Sequence, residues 1–250
     1  FKFVKIKLIS KNKISLKNNY ILTRYKKNLD YVFLWMMKLN LKKPVILDVG
    51  ANIGMYSICY SKLFSDANIY AFEPVKKNYQ TLIQNIKNNK IKNIIANNFG
   101  LLDKKKFLKI GIPDPSTHKR YKQNINDGLF SIFAKKKKFK IKVDSLDAFI
   151  KKKKINKIDF IKIDVEGAEF QVLKGAKKTI SKYKPIIQLE FNELTEVLGN
   201  KKINFFQNFA KKFDYKIYYL TKGYNLKKNI NLKNDFFSDL ILLNEDIKLR

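Results

Sequence analysis

The sequence predicts a three-layer α/β domain: a seven-stranded, mostly parallel sheet with an antiparallel last strand, sandwiched between helices. Three observations carry this prediction. From Pro44 onward, short apolar runs alternate with segments whose apolar residues recur at helical spacing. The runs are apolar on both faces, as strands buried between two helix layers are. The last two runs, Tyr215–Leu220 and Asp239–Leu243, have no helical pattern between them, so they are expected to pair antiparallel.

The elements follow in order. Phe1–Ile9 alternates apolar and basic residues and reads as a strand, and Leu29–Leu41 reads as a helix ending before Pro44. Together they make residues 1–43 an extension that packs on a main domain spanning 44–250. Val45–Gly50 is the first buried strand, and Met55–Phe64 follows as a helix with Met55, Cys59 and Leu63 on one side. Asn68–Glu73 is the second strand, and Val75, Tyr79, Leu82, Ile83 and Ile86 mark the next helix. Ile94–Leu101 and Lys157–Asp164 are the third and fourth strands. Ala168, Val172, Leu173, Ala176 and Ile180 trace a further helix. Pro185–Phe191 is the fifth strand, with proline at its start where a missing N–H is tolerated. Phe206, Phe209, Ala210 and Phe213 mark the last helix. An irregular insert, Gly111–Lys140, is long enough to suggest an acceptor-binding loop.

Composition excludes several classes. The chain has 250 residues, and its 45% hydrophobic content excludes global disorder despite a net charge of +32. A single cysteine, Cys59, excludes a disulfide framework and a multi-cysteine zinc site, and a single histidine, His118, excludes a multi-histidine metal site. No apolar run approaches the roughly 18–20 residues of a membrane span. Tyr31–Leu41 comes nearest, but it is short and contains Lys38. No charged-then-apolar leader is visible, so a cytoplasmic protein is expected. The arginines are only Arg24, Arg120 and Arg250, so the positive charge is almost entirely lysine. Arginine dominates bidentate phosphate and base recognition, and its scarcity disfavours a nucleic-acid partner. The runs Lys104–Lys106, Lys135–Lys138 and Lys151–Lys154 read as solvated turns, with weak attraction to an anionic membrane surface as a general consequence of the charge.

In such folds the ligand lies beyond the carboxyl ends of the strands, where strand order reverses. The first strand ends in Asp48-Val49-Gly50-Ala51-Asn52-Ile53-Gly54. Asn52 and Met55 stand where a dinucleotide fingerprint needs glycine, and no Gly-Lys-Ser/Thr phosphate loop follows. Gly50 permits the sharp turn, and Gly54 opens the helix start, which favours a carboxylate. Asp48 is suited to an ammonium group, and Glu73, ending the second strand, to a ribose diol. An amino-acid end plus a ribose fits S-adenosylmethionine better than a nicotinamide dinucleotide.

With these residues in view, the chain resembles the FkbM family of S-adenosylmethionine-dependent methyltransferases. The likeness covers about Lys43 to Asn192 and rests on ILDVGANIGMYS (46–57), YAFEPVKKNYQTLIQNIKNN (70–89), VDSLDAF (143–149), IDFIKIDVEGAEFQVLKGA (158–176) and KPIIQLEFNE (184–193). It implies the Rossmann-like class I methyltransferase fold and O-methylation, often of sugar or natural-product hydroxyls. Carried over by position, it implies Asp48, Gly50, Asn52 and Gly54 as the cofactor turn and Glu73 at the ribose. Lys162, Asp164, Glu166 and Gly167 match the family's signature after the fourth strand.

Asp164 and Glu166 end that strand, and Glu190 ends the next, with Asn192 and Glu193 close behind. Adjacent carboxyl ends of parallel strands face one crevice. Transfer to a hydroxyl requires its proton to be taken as the new bond forms, which a carboxylate can do. Asp164 is the first candidate base, followed by Glu166 and Glu190, with Lys162 as a positioning group. Competing readings are a helix-capping Glu166, a surface-reaching Lys162 and a Mg²⁺ bound through Asp164, Glu190 and Asn192, the last not favoured because no spacing demands it. His118 is either an insert-borne base or a surface residue, and Asn126-Asp127-Gly128 reads as a turn shaping the acceptor pocket. The expected activity is O-methyl transfer to a glycan or small hydroxylated acceptor. The alternatives are an RNA 2′-O-methyltransferase and an inactive cofactor-binding module.

Overall fold

The computed structural model describes residues 31–39, 41–113, 130–191, 203–221, 225–228 and 237–244. Phe1–Ile9, His118, Asn126–Gly128, Asn192 and Glu193 lie outside the described residues. The described chain runs α1 (Tyr31–Lys38), β1 (Val45–Val49), α2 (Met55–Leu63), β2 (Asn68–Phe72), α3 (Lys76–Asn88) and β3 (Ile94–Asn97). It continues with β4 (Gly100–Leu102), β5 (Lys106–Ile110), β6 (Phe139–Ser145), α4 (Leu146–Lys153), β7 (Phe160–Ile163), α5 (Glu169–Lys174) and α6 (Lys177–Tyr183). It closes with β8 (Ile186–Glu190), α7 (Ile203–Lys212), β9 (Tyr215–Thr221), β10 (Asn225–Lys227) and β11 (Phe237–Asn244).

The main sheet has the order β10-β9-β11-β8-β7-β1-β2-β3. Strands β3, β2, β1, β7 and β8 are parallel, and β11 inserts antiparallel between β8 and β9. The expected mostly parallel sheet is therefore present, with short β10 added at its edge. Helices cover both faces. Leu47, Val49, Ile161, Ile163, Ile187 and Leu189 bury one face, while Ile46, Phe160, Ile186 and Ile241 bury the other with Trp35, Cys59 and Tyr60. Cys59 and Trp35 are thus packing residues.

Three local features depart from the sequence reading. The expected third strand breaks after Asn97. Asn98 turns its amide onto the Glu73 carbonyl at 2.9 Å, and Gly100–Leu102 leaves for a separate sheet of order β4-β6-β5. That small sheet was not anticipated, although KFLKI and FKIKVDS carry the apolar/basic alternation of half-buried strands. Its closure leaves Gly111 bridged to Ser131 at the base of the insert. The expected helix over 168–180 is two short ones. Asp147 accepts from the N–H groups of Lys178 and Thr179 at 3.0 and 2.8 Å, giving α6 its own start, and Gly175 in the break lies against the Leu102 carbonyl where a side chain would clash.

One pattern positions the site. On the face covered by α2, apolar residues near the amino ends of the central strands give way to polar ones toward the carboxyl edge. Ile46 leads to Asp48, Phe160 to Lys162, and Ile186 to Gln188, with Asp48, Lys162 and Gln188 in register across the sheet. On antiparallel β11, Ile241 stands opposite Gln188, and Asp239 lies one step nearer the carboxyl edge, opposite Glu190. Asp48, Lys162, Gln188 and Asp239 are all buried, with Asp48 at 0% and Lys162 at 3% exposure. Burying such a layer is favourable only where its charges pair, and here they do.

Candidate functional site

Strand order reverses between β1 and β7, and the cleft opens at their carboxyl ends. The turn after β1 is built from left-handed backbone: Gly50 has φ 88°, Asn52 φ 51° and Gly54 φ 89°. Each glycine has an internal reason. A Cβ on Gly50 would run into the Asp164 carbonyl oxygen, and one on Gly54 into the Leu82 side chain. The turn is anchored to β2 by Gly50 and Ala51, whose N–H groups both donate to the Phe72 carbonyl at 3.0 Å.

Glu73 completes the anchoring. Its Oε2 accepts from Asn52 N at 2.9 Å and its Oε1 from Val75 N at 2.8 Å. Each oxygen keeps a second lone pair. The carboxyl is nearly buried, yet it lines the cleft beside Pro74, Asn78, Leu101 and Val143. Burial raises its pKa to about 7 against the pull of its two backbone donors.

Asp48 lies beneath the turn rather than in the cleft wall. The sequence reading points it at a ligand ammonium. In the structure its Oδ2 accepts from Ser57 Oγ at 2.5 Å, and its Oδ1 faces Lys162 Nζ at 3.9 Å with no hydrogen-bond partner among the described residues. Burial raises its pKa, an effect that Lys162 opposes.

Lys162 joins this layer to the acids above. Its Nζ donates to Asp164 Oδ2 at 2.7 Å and sits 4.2 Å from the centre of the Tyr56 ring. It does not reach solvent. Burial alone would lower its pKa, but the charges of Asp164 and Asp48 reverse this and hold it firmly protonated.

Asp164, Glu166 and Glu190 converge, with one carboxylate oxygen from each within 4.8 Å of the others. Burial would push Asp164 upward, but Lys162 and hydrogen bonds from Glu190 and Lys162 bring it below the usual range. Glu190 and Glu166 are both pushed well above theirs, by burial first and then by the Asp164 charge. Asp164 is therefore the member of the cluster that ionises most readily, and Glu166 and Glu190 are the members that hold a proton most readily, Glu190 toward Asp164.

Glu166 takes φ 56° and does not cap the helix after it. Sequence reasoning overlooked Glu169, which holds this loop: its Oε1 accepts from Val165 N at 3.1 Å and Gly167 N at 3.2 Å. Its acidic position at the start of a helix was the available signal. Ser131, from the base of the insert, donates its Oγ to the Glu166 carbonyl at 2.8 Å. The cleft is thus lined by Gly50, Asn52 and Glu73 on one side, Asp164 and Glu166 on another, and an apolar wall of Ile110 and Ile141 from the small sheet with Phe130 and Ile132 from the segment around Ser131.

Residues 48–217 match the Methyltransferase FkbM domain, more than half of the chain. The chain belongs to the FkbM methyltransferase family. Methyltransferase sdnD of Sordaria araneosa is 30% identical over 155 residues, 53% of this chain and 60% of that protein. Methyltransferase 1 of Beauveria bassiana is 23% identical over 142 residues, 52% of this chain and 57% of that protein. The chain therefore spans less than two thirds of the length of either relative. The FkbM methyltransferase of Methylobacillus flagellatus superposes with a TM-score of 0.51 at 18% identity, covering 80% of this chain and 43% of that one. A Streptococcus mutans protein solved in complex with SAH superposes with a TM-score of 0.51 at 10% identity, covering 86% and 96%. These superpositions identify the class I methyltransferase fold. No described helix of this FkbM domain is long and apolar enough to cross a membrane.

Proposed function

We propose that the protein is an S-adenosylmethionine-dependent O-methyltransferase acting on a hydroxyl of a glycan or a small hydroxylated metabolite. The observation that carries this reading is the junction of two half-sites in one cleft: a Glu73-anchored glycine turn and the Asp164–Glu166–Glu190 cluster.

The residues fit a nucleoside-bearing cofactor. Glu73 has lone pairs left for two ribose hydroxyls, and the neighbouring Pro74, Val75, Leu101 and Leu102 offer an apolar wall to a base. Gly50 and Asn52 line the cleft at the start of α2, where a helix N-terminus favours a carboxylate, while their own N–H groups are taken by Phe72 and Glu73. Asp48 holds that turn from below through Ser57. When bound, S-adenosylmethionine supplies a methyl group made electrophilic by a sulfonium.

The acid cluster supplies the rest. Asp164, the most readily ionised carboxylate of the cluster, accepts a hydrogen bond from the acceptor hydroxyl, then its proton. Glu190 donates to Asp164 and fixes its orientation. Glu166 faces the same space and serves as a further hydrogen-bonding partner for the acceptor. Lys162 keeps Asp164 ionised. The reading requires no Mg²⁺.

Calorimetric titration of the purified chain with S-adenosylmethionine and SAH tests the donor site. A labelled-methyl screen of nucleotide sugars, glycans and hydroxylated metabolites then tests the transfer. Saturable binding near micromolar affinity, about 8 kcal/mol, supports the reading. A folded chain that binds neither ligand defeats it.

A further inference from the structure

Lysines of β5 and β6 share one outer face, with the runs Lys104–Lys106 and Lys135–Lys138 at its two ends. Strands β5 and β6 pair antiparallel, with Phe107 opposite Lys142 and Lys109 opposite Lys140. Leu108, Ile110, Ile141 and Val143 point inward, and Ile110, Ile141 and Val143 line the cleft. Phe107, Lys109, Lys140 and Lys142 point outward, and Phe107 is 66% exposed. Exposed Lys104 and Lys105 lead into β5, and exposed Lys135–Lys138 lead into β6.

The charge here is concentrated beyond the chain's general lysine content. Residues 104–110 and 135–143 contain ten lysines and no acid. The adjacent acids are engaged: Asp103 pairs with Lys106 at 3.0 Å, and Asp144 accepts from Ser145 N. Lys109 directly opposite Lys140 is a like-charge cross-strand pair, which is unfavourable without a counter-charge. The Phe107 ring sits among these ammonium groups, with Lys140 Nζ 5.3 Å from its centre.

We propose that this outer face docks the protein on an anionic lipid surface. Lysines on flexible stems reach headgroup phosphates while their methylenes and an exposed phenyl ring meet the acyl boundary. No arginine stands on the face, as a nucleic-acid partner would favour. Phe139 packs edge-on against cleft-lining Phe130 at 5.2 Å, so the docking face and the cleft share a rim. This proposal does not depend on the identity of the methyl acceptor.

Co-sedimentation of the full chain with vesicles tests it. We expect binding to mixed phosphatidylcholine–phosphatidylglycerol vesicles and none to phosphatidylcholine alone. Phe107→Ser leaves the charge unchanged and should weaken partitioning about tenfold. Lys140→Glu/Lys142→Glu should weaken it further. Lys151→Glu/Lys182→Glu, the same charge change on α4 and α6, should stay within about twofold of the unaltered protein. Native partitioning by Phe107→Ser, or equal loss from the α4/α6 pair, overturns the proposal. So does Phe107-dependent binding of polyuridylate with no vesicle binding, which would make the face a nucleic-acid surface.

Discussion

Lys162 Nζ lies 2.7 Å from Asp164 Oδ2, and the same ammonium faces Asp48 Oδ1 at 3.9 Å on the neighbouring strand. One buried cation therefore ties the floor of the glycine turn to the carboxylate at the mouth of the cleft. Removing it strands two acids in a region of low dielectric.

Lys162→Met should cost about 3 kcal/mol of stability. Asp48→Asn keeps an acceptor for Ser57 and removes one of the stranded charges. The double variant Lys162→Met/Asp48→Asn should accordingly be more stable than Lys162→Met alone. Urea denaturation of the three proteins measures this. Strictly additive losses would mean that the two side chains do not interact.

Glu73 has both a structural and a binding role. Glu73→Ala leaves the N–H groups of Asn52 and Val75 without their acceptor and should cost about 2 kcal/mol. The variant should still fold and should lose S-adenosylmethionine and SAH binding by at least about tenfold. Circular dichroism paired with calorimetry separates the effects. Native affinity in a folded variant would remove Glu73 from the cofactor site.

Asp164→Asn retains shape and removes the proton acceptor. SAH affinity should change little, while labelled-methyl transfer to the acceptor found by screening should fall about 100-fold or more. Undiminished transfer would exclude Asp164 as the base. A chelator should leave the transfer rate unchanged.

Stability should fall as pH rises from about 4.5 to 7. Glu73 and Glu169 both have pKa values raised to about 7 by burial, so the folded state binds protons that the unfolded state releases in this window. Their stabilisation is complete below the unfolded value and is lost as pH passes through the folded one. Each contributes on the order of 3 kcal/mol at most. Glu166 and Glu190, also raised, act in the same direction. Asp164 is lowered, so its contribution is lost only at more acid pH. Urea midpoints at pH 5 and pH 8 measure the slope, which should flatten in Glu169→Gln.

The sequence by itself determined the parallel α/β core, the glycine turn and the acids at the strand ends. These are local: a buried strand needs a continuous apolar run, a positive-φ turn needs glycine, and a residue ending a parallel strand faces the crevice whatever its neighbours do. FKIKVDS carried its own alternation as well, but it begins inside the irregular insert Gly111–Lys140, directly after the run Lys135–Lys138 that reads as a solvated turn.

Tertiary structure alone decided the roles within that frame. Asp48 and Asp164 look alike in sequence. Asp48 is the next-to-last residue of β1, buried against Ser57, whereas Asp164 follows the last residue of β7 and opens to the cleft, with Lys162 between them. Which carboxyl keeps its proton likewise depends on distances between strands that are far apart in the chain. So does the gathering of lysines from β5 and β6 on one face, which required the two strands to pair across the insert.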